Sequence, residues 1–368
     1  MAKKKGLTFF DKILVAFSIF ALIFLLTSSF AGSFDPRKYA LIAFAGLAYP
    51  FVLLLNAILL LWWALKKKWV LSVIILTTII IGGKTLNSTF KFFGSEGEIT
   101  KKAGTIRLMT YNVHSFKEFG SGNDANVKRK MLDIIRTQQP DVICFQEFYS
   151  RFKGEFDLTD SIKSILNSPY YYFVPASKNE FEAIGMAIFS RYPLENKSNV
   201  KFDDVAGNGS IYADLTIEGK QLRIYNVHLK SISFEKQDYT YLDKVTKEIN
   251  PDKQSSKRIY RMLRDAFKNR ARHVEIMKEE ISNCKTPYII AGDFNDTPAS
   301  YAVNQLLIGM NNAFVSQGKG LGRTYNGKFP NFQIDYIAST KDVEIENYQV
   351  TEAKLSDHYP VRADIRLK

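Results

Sequence analysis

Cysteine and histidine are scarce in this chain. Its 368 residues include two cysteines, Cys144 and Cys284, and four histidines. The cysteines lie far apart with no Cys-x-x-Cys spacing, which excludes a disulfide framework and a thiolate zinc site. Cys144 sits in an apolar strand-like stretch and reads as a buried free thiol. No serine or cysteine occupies a recognised nucleophile motif, so hydrolysis, if any, falls to direct attack by water. The net charge is +13, but it is unevenly spread. Residues 1–104 carry 13 Lys/Arg against 4 Asp/Glu, and the remainder carries 37 against 33. Most of the basicity therefore flanks apolar segments and says little about a substrate.

Long apolar runs are present, and all lie before residue 84. Ile13–Phe30 and Tyr39–Leu65 are long enough to span a bilayer, for which about 20 residues are needed; Trp69–Gly83 is marginal. "SSFAGS" offers a small-x-small cleavage site ending at Ala31, but the length of the first run favours an uncleaved helix. Lys3–Lys5 and Lys66–Lys68 are the strongest positive clusters, with Arg37 and Lys38 a weaker contrary signal. Three spans with those clusters inside predict a multi-pass protein of the inner cell membrane, its later part outside the cytoplasm. The expected organisation is a membrane region at 1–83, a tether at 84–104 and a catalytic domain at 105–368.

From Thr105 the chain mixes strands and helices. "TIRLMTYNV", "DVICFQE", "GMAIFS", "SIYADLTIEG" and "QLRIYNVHL" read as strands, with Gly219 at a hairpin turn. "NVKRKMLDIIRTQQP" reads as an amphipathic helix. The mixture predicts an α/β or α+β sandwich. Lys257–Ile281 has apolar residues at helical spacing and cations, including Arg261, Arg264 and Lys268, on another face. That face is either a solvated surface or a basic ridge for phosphate backbones or anionic lipid heads.

Polar residues recur where apolar strands end: Asn112, Glu147, His228, Asp293, Asn295, Asp335, Asp357 and His358. Charges at such places are costly unless paired, hydrated or bound to metal. Oxygen ligands such as Glu147 suit Mg²⁺. Asp293 and Asn295, two apart, share a face of an extended segment. An imidazole beside a carboxylate can act as acid or base near neutral pH. The tetrapeptide YNVH occurs twice, at Tyr111–His114 and Tyr225–His228, and raises the question whether the copies do the same work.

In order along the chain, "MTYNVH", "VICFQE", "GMAIFSRYPL", "IYNVHLKS", "IIAGDFND", "QIDYI" and "LSDHYP" resemble the endonuclease/exonuclease/phosphatase superfamily. Its members include DNase I-like nucleases, abasic-site endonucleases, sphingomyelinases and inositol-polyphosphate phosphatases. The resemblance implies a four-layer α/β/β/α sandwich whose halves resemble one another, with Mg²⁺ (or Mn²⁺ in its place) at one rim. It implies Glu147 as principal metal ligand, with Asn112 and Asp357 at the metal site. It implies His358, oriented by Asp335, as the base that prepares water, although some members give that role to Asp293. Asp293 and Asn295 would bind the scissile phosphate and nucleophile. His228 would contact phosphate or protonate the leaving oxygen. His114 and His273 would be bystanders.

The expected activity is Mg²⁺-dependent phosphodiester hydrolysis. A membrane-tethered nuclease using Arg261, Arg264 and Lys268 for grip is the leading expectation. A phospholipid or sphingomyelin phosphodiesterase, an inositol-phosphate phosphatase and an inactive membrane scaffold are the alternatives. No protein partner is implied.

Overall fold

The computed structural model of the chain describes residues 8–117, 125–202, 207–248, 252–327 and 332–368. The cluster at residues 3–5 lies outside them. The N-terminal region forms helices Phe9–Ser29 (α1), Ala40–Leu47 (α2), Tyr49–Leu65 (α3), Trp69–Ile81 (α4) and Gly83–Thr89 (α5). A capping box starts α1: the Thr8 hydroxyl accepts from the Asp11 amide, and the Asp11 carboxylate accepts from the Thr8 amide. At 21 residues, α1 is long and apolar enough to cross a membrane. The second run is not one straight helix, because α2 and α3 meet at 62°. Pro50, in the first turn of α3, has no N–H to carry the helical ladder across Ala48 and Tyr49. In the third run α4 stops after 13 residues, and the chain turns by 70° at Gly82 into α5. One full-length helix and two bent pairs thus replace three straight spans. Trp63 donates to Ser18 Oγ at 3.0 Å and Asn56 to the Ala21 carbonyl at 3.2 Å, buried bonds that fix α3 against α1.

The remainder builds strands Phe90–Lys91 (β1), Ile106–Asn112 (β2), Val142–Arg151 (β3), Tyr171–Lys178 (β4), Glu182–Ser190 (β5), Glu195–Lys201 (β6), Gly209–Ile217 (β7), Lys220–His228 (β8), Tyr288–Asp293 (β9), Asn311–Asn312 (β10), Gly320–Leu321 (β11), Asp335–Ser339 (β12), Val343–Val350 (β13) and Val361–Leu367 (β14). One sheet runs β13-β14-β2-β3-β5-β4 and the other β10-β12-β9-β8-β7-β6. Each contains a parallel pair begun by a YNVH strand, β2–β3 in one and β8–β9 in the other. The hairpin turn between β7 and β8 falls at Glu218 and Gly219, both at positive φ (51° and 79°), as a two-residue primed turn requires.

Alternation sets the layers. In β2, Ile106 and Leu108 join the core between the sheets, while Met109 and Tyr111 face outward under helices Ala125–Gln138 (α6) and Leu158–Leu166 (α7). In β8, Leu222 and Ile224 join the same core, while Tyr225 and Val227 pack outward. There they meet Val274 and Met277 of Lys253–Ser282 (α9) and Val303 of Tyr301–Leu306 (α10); Lys236–Glu248 (α8) precedes α9. The result is the α/β/β/α sandwich. Cys144 is fully buried in its core, and burial pushes its thiol up.

Residues 84–104 are not a free tether. β1 pairs with β11, Asn347 and Glu98 exchange two hydrogen bonds, and Lys101 bonds Asp141 at 2.7 Å. The elbow formed by α2 and the start of α3 also lies on the sandwich. Phe44 stacks on Tyr260 and meets Phe267 edge-on, with centroids 5.0 and 5.2 Å apart. Arg37 bonds both Asp35 and Glu275 of α9. At Gly32 a Cβ would come within 2.4 Å of the Asn304 side chain, so only glycine allows α10 this close.

Candidate functional site

Strand pairing makes the first row of the site. Asp293 ends β9, and the register sets His228, the end of β8, on one side and Asp335, the start of β12, on the other. Polar groups converge on one oxygen, Asp293 Oδ2. It accepts from Asn112 Nδ2 and Asn295 Nδ2, each at 3.0 Å. The Nε2 atoms of His228 and His358 each stand 3.6 Å from it. Asn112 arrives from the other sheet, so the site lies where the ends of both sheets meet. Asn295 is not in an extended segment, since its φ is +53°. Its side chain nevertheless reaches Asp293, and its amide N–H donates to Asp293 Oδ1 at 2.8 Å.

Both rings are fixed by their far nitrogens. His358 Nδ1 lies 3.1 and 3.0 Å from the two oxygens of Asp335, leaving Nε2 toward Asp293. His228 Nδ1 lies 2.8 Å from the Gly207 carbonyl, which can only accept. The Nδ1 proton is therefore set, and His228 Nε2 is buried without a hydrogen-bond partner among the described residues.

Glu147 reaches the site through a bulge. The pairing of β3 with β5 slips between Phe145 and Phe148, and Glu147 has φ +51°. The irregularity re-aims its side chain, which stays 34% exposed. His114 Nδ1 lies 3.4 Å from Glu147 Oε2 and 3.8 Å from Asp357 Oδ1. His114, Ser115 and Phe116 all hold positive φ, at 41°, 59° and 56°. Non-glycine residues in such conformations cost roughly 1–3 kcal/mol each and cluster at functional sites.

The carboxylates are tuned apart. Burial pushes Asp293 up, Asp335 adds to this, and the ring of His358 opposes it. For His358, burial favours the neutral ring, but Asp335 and Asp293 outweigh it and push the ring well above its usual value. Burial alone would raise Glu147, yet the hydrogen bond from His114 and the nearby rings of His228 and His358 bring it down to about 2. Glu147 is thus a firm anion beside a carboxyl group drawn toward its proton, a pairing suited to divided acid–base roles.

Asn112, His114, Glu147, Asp293, Asn295, Asp357 and His358 line one cavity of about 230 Å³. Asp335 backs His358, and His228 opens on an adjoining cavity that shares Glu147. Arg261, Arg264 and Lys268 are not among the residues lining either, and Arg264 pairs with its neighbour Asp265 at 2.9 Å. His273 is buried and stacks on Phe202. Two donor sets could hold a cation. Asp293, Asp335 and His358 place ligand atoms within 4.8 Å of one another, but they already hydrogen-bond each other or the amides. Glu147, Asn112 and Asp357 form a second set of oxygen donors, and all three line the cavity.

Three contributors escape a reading of motifs. His114, expected to be a bystander, lines the cavity. Arg270 is buried on the apolar face of α9, lies 2.9 Å from Asp296 and donates to the carbonyls of Asn295 and Lys230 at 2.6 and 3.1 Å. It holds the Asn295 turn, and its signal was a cation at helical spacing from Leu263, Phe267 and Val274. Gln146 and Asn226 form the third: Gln146 Nε2 donates to Asn226 Oδ1 at 2.6 Å, tying the two sheets just beneath the site.

Residues 109–358 match the model of the Endonuclease/Exonuclease/phosphatase family. Residues 11–89 match a domain of unknown function (DUF8431). The chain is 22% identical over 284 residues to the uncharacterized protein YbhP of Escherichia coli K12, covering 72% of this chain and 97% of that protein. Among solved structures it is similar to an endonuclease/exonuclease/phosphatase from Bacteroides vulgatus, at 17% identity and TM-score 0.51, with 72% of this chain and 99% of that one covered. It is also similar to the human Nocturnin catalytic domain with bound sulfate anion, at 17% identity and TM-score 0.50, with 73% and 97% covered. At these identities the likeness is one of fold.

Proposed function

Because the chain belongs to the endonuclease/exonuclease/phosphatase family, we propose that its cavity hydrolyses a phosphoester by metal-assisted attack of water. The observation that carries this is the convergence of two amides and two imidazole Nε2 atoms on Asp293 Oδ2. Water's oxygen bonds to phosphorus as the P–O bond to the leaving alcohol breaks. Asp293, drawn toward its proton by burial, receives the proton of water. This moves the base role from His358 to Asp293. His358, held as a cation by Asp335 and Asp293, donates through Nε2 to a phosphoryl oxygen. His228, its Nδ1–H fixed on Gly207 and its Nε2 3.6 Å from Asp293 Oδ2, takes up at Nε2 the proton that Asp293 received from water and passes it to the leaving oxygen. Asn112 and Asn295 hold the phosphate and Asp293 in place.

Mg²⁺, with Mn²⁺ able to replace it, fits the set Glu147, Asn112 and Asp357, because Glu147 is a firm carboxylate anion open to the cavity and hard cations prefer such oxygens. When bound, the ion supplies neutralisation of charge on the phosphoryl oxygens.

In this reading the apolar helices anchor the catalytic domain at the inner membrane. Lys66–Lys68 follows α3 at its end away from the elbow, and the preference of such clusters for the cytoplasmic side supports an extracytoplasmic sandwich. Arg261, Arg264 and Lys268, expected to grip a nucleic acid, do not line the cavity. The test is hydrolysis of bis(p-nitrophenyl) phosphate by the full-length protein in detergent. Activity should require Mg²⁺ or Mn²⁺, disappear with EDTA and fall by about 10³-fold or more in Asp293→Asn. Unchanged turnover in either case overturns the assignment.

A further inference from the structure

The cavity has two unlike parts. Its floor is polar, as described. The rest of its lining includes Leu47, Ile232, Phe234, Leu263, Phe267 and Phe332, the first five of which belong to one apolar cluster. Leu47 belongs to α2, in the membrane region, so an element of the apolar bundle is part of the active-site lining. The contact is fixed, not incidental. Ile259, Leu263 and Phe267 of α9 form one cluster with Ala43, Phe44 and Leu47. One turn into α3, Phe51 meets Phe332 edge-on, with centroids 6.2 Å apart, and stays 57% exposed.

Large apolar side chains are also exposed elsewhere on the protein. Leu41 and Tyr39 beside the elbow are exposed, and Ile308 follows α10, which packs against the loop after α1. Phe92, Phe93 and Leu321 are exposed where the chain leaves the bundle. Tyr39 and Leu41 belong to the elbow, and the others to the sandwich and its strap. The one Lys or Arg lining the cavity among the described residues is Arg270, and Asp296 already engages it. A nucleic-acid groove needs cations along the backbone path. An apolar wall beside a phosphate-binding floor is instead complementary to an amphiphile.

We propose that the elbow of α2 and α3 is the lipid-side wall of the active site, and that the substrate is a membrane lipid whose phosphoester head group enters sideways from the bilayer. This rests on the phosphohydrolase reading above. The head group sits over Asp293, and the first carbons of the chain lie along Leu47, Phe51 and Phe332. The membrane helices therefore select the substrate as well as holding the enzyme in place.

The experiment uses full-length protein in nanodiscs of phosphatidylethanolamine, phosphatidylglycerol and phosphatidic acid. Release of head group or phosphate from these lipids is compared with hydrolysis of glycerophosphoglycerol, of single-stranded DNA and of bis(p-nitrophenyl) phosphate, at equal phosphate. The expected result is lipid turnover at least about tenfold above that of glycerophosphoglycerol or DNA. In Leu47→Glu and Phe51→Glu the ratio of lipid to bis(p-nitrophenyl) phosphate turnover should fall by about tenfold, a change that simple misfolding, which lowers both, does not produce. Hydrolysis of the soluble ester without hydrolysis of any of the three lipids overturns this proposal alone, as does faster cleavage of DNA or an unchanged ratio in both variants. Failure on every substrate with Mg²⁺ and Mn²⁺ overturns the phosphohydrolase reading itself.

Discussion

The two YNVH copies begin equivalent strand pairs in opposite sheets, yet they do different work. In the first copy the strand ends at Asn112, so the asparagine stands at the rim and bonds Asp293. In the second the strand continues to His228, so the histidine stands at the rim. Asn226 is then two residues deeper, about 7 Å down the strand. There it is fully buried, accepting from Gln146 and donating to the carbonyls of Phe145 and Ala187 at 2.9 and 3.0 Å. His114, past the end of its strand, is thrown by three positive-φ residues toward Glu147. Where a strand stops relative to the sheet edge decides which side chain of a repeated motif reaches the rim and which is buried in the core.

This contrast can be broken in four places, from the largest effect to the smallest. His228→Ala removes the rim group of the second copy and is expected to lower kcat by about 10²–10⁴-fold, with the circular dichroism spectrum unchanged. Asn112→Ala removes the rim group of the first copy; a loss of about 10²-fold in kcat/KM on bis(p-nitrophenyl) phosphate is expected, again without loss of Tm. Asn226→Ala should behave in the opposite way. It removes three buried hydrogen bonds, one from the Gln146 amide and two to the carbonyls of Phe145 and Ala187, for a cost of about 2–4 kcal/mol read by denaturant unfolding, while the surviving folded protein keeps its KM. His114→Gln should shift the metal concentration giving half-maximal activity by about tenfold or less, because His114 touches Glu147 without replacing it. If Asn112→Ala and Asn226→Ala instead shared one phenotype, the division of labour between the copies would be wrong.

Much of the site was legible in the sequence because its residues interrupt apolar strands, and a polar group at a strand end needs a partner. Asn112, Glu147, Asp293, Asn295, Asp357 and His358 do meet in one cavity, with His228 and Asp335 against it. The cationic face of α9 lies outside the cavity lining for a physical reason. Helical periodicity shows which residues share a face but not what that face meets, and the apolar face turned out to carry both the second sheet and the membrane elbow. Arg270 was hidden among those apolar positions, and His114 was hidden because backbone strain leaves no mark in residue type. The docking of residues 84–104 was not legible, because it is made of backbone pairing and side-chain bonds to distant residues.

Local pattern alone determined the apolar helices, the alternating strands and the set of polar interruptions, since these follow from neighbours a few positions apart. Only the tertiary structure decided that Pro50 bends the second helix onto α9, that a bulge swings Glu147 outward, and that Leu47 reaches a cavity whose acid lies 246 positions later. Those outcomes depend on packing between segments that no window of sequence contains.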